Sequence, residues 1–284
     1  MRTRFGRAWG SGLSALVIAA GVLAAPGAVA QSGTAHDVAA RGGVVHDVAA
    51  RTAADVPAGY YDSASGLTGE PLKSELNDII SAGDQLSYSE VWTGLQASDE
   101  DPANPNNVVL LYSGESRAKN LNGGDVGDWN REHVWAKSHG DFGTATGPGT
   151  DLHHLRPTDV QVNSIRGNKD FDNGGSQVSG APGSYTDSDS FEPRDEVKGD
   201  VARMILYMAV RYEGEDSFAD LEPNDAVSNG SAPLHGRLSV LLDWHDADPV
   251  SAFEANRNDV IYEQFQHNRN PFIDHPEWAD AIWG

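Results

Sequence analysis

The 284-residue chain contains no cysteine. Disulfides, thiolate nucleophiles and cysteine-ligated zinc are thereby excluded. Bases are scarce: 20 Lys and Arg stand against 42 Asp and Glu, a net charge of -22 at pH 7. So acidic a protein repels polyanions at long range, which argues against a tight nucleic-acid binder. It argues less against an enzyme, which needs only a local site and a metal. Long apolar runs are also lacking. Leu13 to Ala25 is too short for a membrane span, and no later stretch is apolar enough. That run follows Arg2, Arg4 and Arg7 and precedes Ala28-Val29-Ala30. The pattern predicts a signal peptide over residues 1–30, cleaved near Ala30, and hence a secreted, extracellular protein with no membrane attachment after cleavage. Cleavage removes three arginines and no acid, taking the net charge from -22 to -25.

Residues 31–57 read as a linker or pro-segment. His36-Asp-Val-Ala-Ala-Arg41 recurs as His46-Asp-Val-Ala-Ala-Arg51, a repeat too short for a solenoid. The folded part is expected over 58–284, and its length of about 230 residues supports one sizeable domain whose stability rests on its core. Pro71 suits a first helical turn, and Leu72, Leu76, Ile79 and Ile80 share a helical face before Gly83. Ser87 and Glu90 have capping-box spacing. Val108 to Tyr112 reads as a buried strand. Val197, Val201, Met204, Ile205 and Met208 mark one face of a helix over about 195–212. Further helices are expected over Leu238–Trp244 and after Pro249, with the Trp278 and Trp283 tail docked on the domain. The fold class is α+β, helix-rich with a small sheet.

Asp128 to Phe171 differs from the rest. Between Glu115 and Lys169 seven bases balance seven acids, so this region is neutral within an acidic chain. It reads Asp-Trp-Asn-Arg-Glu-His-Val-Trp, a glycine-rich spacer, Asp-Leu-His-His-Leu-Arg-Pro, then Thr-Asp-Val-Gln-Val-Asn-Ser-Ile-Arg-Gly-Asn. Phosphoryl chemistry uses such a mixture: a base for water, oxygen ligands for a hard metal, cations for phosphate. Glu132-His133 fits a strand, and because neighbouring strand residues face opposite ways, joint action calls for a twisted or terminal position. Asp151 to Pro157 reads as a second strand. Thr158 or Asp159 then caps a helix that presents Asn163 and Arg166, three residues apart, on one face.

These three segments resemble the signature of the bacterial endonuclease I family, non-specific nucleases with a ββα-metal (His-Me) finger, and are most similar to its secreted extracellular ribonuclease branch. The likeness runs from about Tyr60 to Trp283 and includes Glu192 to Arg203 and the Asn268-Arg-Asn-Pro-Phe tail. It implies that His133 is the general base, with Glu132 and Asn163 the ligands of one Mg²⁺, for which Mn²⁺ or Ca²⁺ could substitute. Arg166 joins His133 as a catalytic candidate. Arg131, Lys137, His154, Arg156 and Asn168 are candidates for binding substrate. Relatives place a phosphate-steadying arginine in the spacer; here Ala136 to Thr150 has none. Lys137, His139, Arg156 or Arg166 are left to take the role. The implied reaction is hydrolysis of RNA and DNA to 5′-phosphate ends, without sequence specificity, by a monomer.

Two other readings compete. One is a zinc hydrolase built on His133, His139, His153 or His154, although no His-Glu-x-x-His helix is present. The other is a non-catalytic acidic extracellular binding module, which leaves the carboxylate, carboxamide and arginine arrangement unexplained. Asp151 is expected to brace the finger, and Arg203 to form a buried ion pair.

Overall fold

The computed structural model describes residues 56–214 and 216–284. The expected signal peptide and the duplicated segment therefore lie outside the described residues. After a short helical turn at Asp62–Ala64, helix α1 (Gly69–Ile80) buries Leu72, Leu76 and Ile80 completely. Helix α2 (Glu90–Ser98) begins at the expected reciprocal cap: Ser87 N donates to Glu90 Oε2 at 2.7 Å, and Glu90 N donates to Ser87 Oγ at 3.4 Å. Strands β1 (Glu100–Asp101), β2 (Asn104–Val109) and β3 (Ser116–Ala118) form an antiparallel sheet. The strand expected over Val108–Tyr112 thus starts earlier and ends at Val109. Leu110, Leu111 and Tyr112 are fully buried outside the ladder.

Strands β4 (Trp129–His133) and β5 (Leu155–Asp159) pair antiparallel, with Glu132 opposite Arg156 and His133 opposite Leu155, and helix α3 (Val160–Arg166) follows at once. This is the expected strand, loop, strand, helix order, with β5 shorter than its sequence suggested. Residues 151–154 form turns instead: Asp151 Oδ1 accepts from His153 N, and the Asp151 carbonyl accepts from His154 N and Leu155 N. An Asp side chain that satisfies nearby amides competes with a ladder.

Strands β6 (Asp170–Phe171), β7 (Ser176–Gln177), β8 (Tyr185–Thr186) and β9 (Ser190–Glu192) form a four-stranded sheet in the order β6-β9-β8-β7. Helix α4 (Lys198–Arg211) is next. The sequence suggested one apolar face, yet every residue from Gly199 to Arg211 is buried. It packs against α1 and against the later helices α5 (Leu238–Ala247) and α7 (Pro271–Asp274), so no face is left to solvent. Its polar residues are paired inside, as burial of charge demands. Arg203 holds Glu254 through Nε at 2.6 Å and Nη2 at 2.7 Å.

Strands β10 (Glu222–Pro223) and β11 (Leu234–His235) make a short parallel pair. Helices α6 (Ala252–Gln264) and α8 (Trp278–Trp283) complete the α+β architecture. A large apolar cluster surrounds α4. A second one, with Val91, Leu95, Trp129, Leu152, Leu155 and Ile261, holds the β4–β5 hairpin against α2 and α6. Each such side chain contributes about 1.5–3 kcal/mol by leaving water, so this second cluster anchors a hairpin too small to stand alone.

Candidate active site

Asp159 ends β5 and caps α3. Its Oδ1 accepts from Gln161 N at 2.8 Å and Val162 N at 3.1 Å, while its Oδ2 accepts from Arg117 Nη1 at 2.6 Å. The cap fixes where α3 starts and so where Asn163 lies relative to β4. Glu132 and His133 are the last two residues of β4, the terminal position their joint use requires. Both line one cleft of about 360 Å³, together with Asn163, Arg131, Lys137, Arg166 and Asn168.

His133 is 6% exposed, and its Nε2 lies 3.1 Å from the Gly149 carbonyl oxygen. A carbonyl only accepts, so Nε2 carries the proton and Nδ1 keeps its lone pair. Burial, aided by the neighbouring His154, drives its pKa well below the usual histidine value, against a smaller opposing effect of the Gly149 bond. The imidazole is therefore neutral at pH 7.

Glu132 Oε1 accepts from the Tyr112 hydroxyl at 2.8 Å and lies 3.4 Å from Arg166 Nη1. Burial raises its pKa, and Arg166 and Tyr112 pull it back. Asn163 Nδ2 donates to Asn130 Oδ1 at 2.7 Å, which leaves Asn163 Oδ1 as an acceptor. A carboxylate and a carboxamide oxygen on one cleft form a hard-donor pair, and they fit Mg²⁺, which takes few protein ligands and keeps several waters. A second group of metal-ligand type is buried behind the cleft: His139, Asp170 and His235, with ligand atoms within 4.8 Å of one another. Its ligand atoms face groups of the protein. His139 faces the carbonyls of Leu234 and Asn168, Asp170 accepts from Gly236 N and Asn229, and His235 Nε2 accepts from Arg166 Nη2. The last bond puts the His235 proton on Nδ1, which cannot then ligate a metal.

The remaining expected site residues divide. Lys137 and Asn168 are exposed on the cleft, and Arg131 is half-buried there. Arg166 reaches the cleft, but its guanidinium is committed to the protein, donating to the carbonyls of His133 at 2.9 Å and Val134 at 2.6 Å. It steadies the end of β4 and the Glu132 carboxylate. Two expectations are corrected. Arg156 lies outside the cleft, 1% exposed, with Nε 2.5 Å from Asp99 Oδ1 and Nη1 3.1 Å from Asp200 Oδ2. It sits opposite Glu132 in the hairpin but faces the interior. His154 is fully buried too: its Nε2 donates to the Pro148 carbonyl at 2.7 Å, and its ring packs 5.6 Å from that of His133.

His153 is held by Asn268 and does not join His133 in any ligand group among the described residues, so His133, His153 and His154 do not converge as a zinc site. Asp151 is the expected brace. Its Oδ2 accepts from the hydroxyls of Tyr207 and Tyr212, and its Oδ1 from Gln266 Nε2. Burial alone would raise its pKa; His153 and the Gln266 bond pull it below the ordinary carboxylate value. Sequence reasoning missed Tyr88, Trp92, Asn130 and Tyr112. The first three line the cleft, and Tyr112 bonds Glu132 from behind. Asn130 lies inside the first motif but was given no role there, and no motif marked Tyr88, Trp92 and Tyr112, which come from a helix start and a distant loop.

The family profile of Endonuclease I matches residues 68–277. An extracellular ribonuclease of Bacillus subtilis (strain 168) is 70% identical over 224 residues, covering 79% of this chain and 78% of that protein. The extracellular ribonuclease of Bacillus amyloliquefaciens gives the same identity and coverage. A family match over most of the described residues, joined to two relatives this similar, sets aside a non-catalytic binding module. The chain belongs to the endonuclease I family and is a nuclease that hydrolyses phosphodiester bonds.

Proposed function

We propose that the protein is a secreted, metal-dependent endonuclease that cuts RNA and DNA without sequence specificity and leaves 5′-phosphate ends. The observation that carries this reading is the joining of a neutral His133 with Glu132 and Asn163 on one cleft. Nδ1 of His133 takes a proton from water as the water oxygen attacks phosphorus in line, and the bond from phosphorus to the 3′ oxygen breaks. The phosphate stays on the 5′ oxygen of the downstream fragment, and the upstream fragment leaves with a 3′-hydroxyl. The attacking oxygen comes from water, so no 2′-hydroxyl is needed and both polymers are substrates. Glu132 and Asn163 would hold one Mg²⁺, or Mn²⁺ or Ca²⁺ in its place. When bound, the ion supplies positive charge to the phosphate oxygens and the departing oxygen. Arg166 favours the charged form of Glu132 against burial, and Arg131, Lys137 and Asn168 meet the substrate backbone.

Secretion is supported by the basic and apolar N-terminal pattern and by the extracellular relatives. No helix among the described residues is long and apolar enough to cross a membrane. We take the enzyme to act as a monomer. The test is incubation with plasmid DNA and total RNA, in Mg²⁺ or in chelator, followed by ligation of the products. Chelator-sensitive cleavage to ligatable 5′-phosphate ends is expected; cleavage indifferent to chelator would overturn the metal-dependent mechanism.

A further inference from the structure

Three cations reach the cleft, and they are not equivalent. Arg166 is 1% exposed and bound to protein carbonyls, and Lys137 stands exposed on a flexible stem. Arg131 is held differently. Its guanidinium carbon lies 3.4 Å from the centre of the Tyr88 ring and 4.0 Å from that of Trp92. Its Nη1 donates to the Tyr88 carbonyl at 2.5 Å. Among the described residues no acid pairs with it, in a chain that carries 42 acids. A guanidinium held over two rings, with unused N–H groups and no counter-charge, is prepared for a planar, bidentate anion.

The support beneath it is rigid. Tyr88 lies inside the Ser87–Glu90 cap, and Trp92, four residues on, lies on the first turn of α2. Trp92 is in turn braced by Trp129, ring centres 5.3 Å apart. Arg131 and His133 alternate with Glu132 along β4, so they share a face. The Tyr88 ring packs between them, 6.1 Å from the His133 ring.

We infer that Arg131 clamps a phosphodiester of the bound strand beside His133, with Tyr88 and Trp92 as positioning residues that hold its plane. This rests on the nuclease reading and supplies the role of the arginine missing from the spacer. The test uses the full-length protein. kcat and KM on RNA and duplex DNA are measured in Mg²⁺ over a range of salt, for wild type and for Arg131→Ala, Arg131→Lys and Trp92→Leu. Circular dichroism checks that each variant is folded. Arg131→Ala should raise KM about tenfold and flatten the dependence of log KM on log salt by about one unit. Arg131→Lys keeps the charge, so it should keep the salt slope yet still raise KM several-fold. Trp92→Leu should resemble Arg131→Lys. A folded Arg131→Ala enzyme with wild-type KM and salt slope overturns the clamp. A Trp92→Leu enzyme with wild-type KM overturns the positioning role. Wild-type protein that cuts neither polymer in Mg²⁺ would instead sink the nuclease reading beneath both.

Discussion

The Nε2 proton of His133 is fixed by the carbonyl of Gly149, 3.1 Å away across the hairpin loop. One backbone oxygen thus selects the tautomer that leaves Nδ1 able to accept a proton. Removing the ring should lower kcat by about 10²–10⁴-fold, the usual contribution of a positioned base. His133→Ala, assayed on plasmid and RNA, should show this while its thermal melt stays near that of wild type.

The same burial sets the pH profile. The base works when neutral, and its pKa lies well below the ordinary 6.5. Cleavage rate should therefore stay level as pH falls from 8 through 6.5, and drop only at distinctly lower pH. A half-maximal rate near 6.5 would show that His133 is solvated in the working enzyme. The rates should be read at saturating Mg²⁺ and under conditions where the fold is intact.

Stability has its own pH dependence. His153 and His154 are fully buried, and burial lowers both pKa values to about 4. Their unfolded values stay near 6.5. Between those limits the unfolded chain binds more protons than the native one, so stability present above pH 6.5 is lost as pH falls towards 4. Each histidine contributes about 1.4 kcal/mol per pH unit across that window. Glu254 works in the opposite direction, because burial and Asp200 raise its pKa against the pull of Arg203. His133, His235 and His245, also shifted down by burial, add to the histidine effect, and the raised carboxyls of Glu132, Glu213, Glu222 and Asp248 act with Glu254; the midpoint of thermal unfolding should fall from pH 7 to pH 5.

Arg156 separates stability from substrate binding. It joins Asp99, Asp200 and Arg257 in a buried charge network. Removing one member leaves an uncompensated buried charge, at a cost of about 3–5 kcal/mol. Arg156→Ala should unfold at clearly lower urea concentration, yet show near-wild-type KM per folded molecule. A large KM change in a stable variant would place this arginine at the substrate after all.

Loss of an oxygen donor should appear first in the metal requirement. Asn163→Ala removes the carboxamide while Asp159 continues to cap α3. The Mg²⁺ concentration for half-maximal activity should rise by at least the 10–100-fold typical of weakened metal sites. Titration of activity with Mg²⁺ and Mn²⁺ checks this, and an unchanged requirement would remove Asn163 from the ligand set.

Much of the finger was legible in the sequence because its signals are local. Asp159, Asn163 and Arg166 lie within eight residues, and cap and helix follow from their order. The Ser87–Glu90 cap was equally readable. What failed did so for non-local reasons. Whether Arg156 faces the cleft depends on which side of β5 the core covers, and periodicity over five residues does not reveal that. Asp151 to His154 alternates like a strand, but the Asp151 side chain takes the amides a ladder would need. The all-round burial of α4 reflects neighbours drawn from α1, α5 and α7. Tyr88 and Trp92 looked like ordinary helix-start residues until β4 brought Arg131 between them.

Gln266 closes a circuit between the far end of the chain and the hairpin: its Nε2 donates to Asp151, and its Oε1 accepts from Leu152 N at 2.5 Å. Asn268 continues the circuit to Ile80, Tyr207 and His153. A protease cut between α6 and Gln266 would therefore leave Glu132, His133 and Asn163 all in the polypeptide, yet free the strap that holds the second strand in place. A single clip at this point, more than a hundred residues downstream of Asn163, is expected to lower activity while the candidate catalytic residues remain chemically untouched, as limited proteolysis followed by a cleavage assay would check.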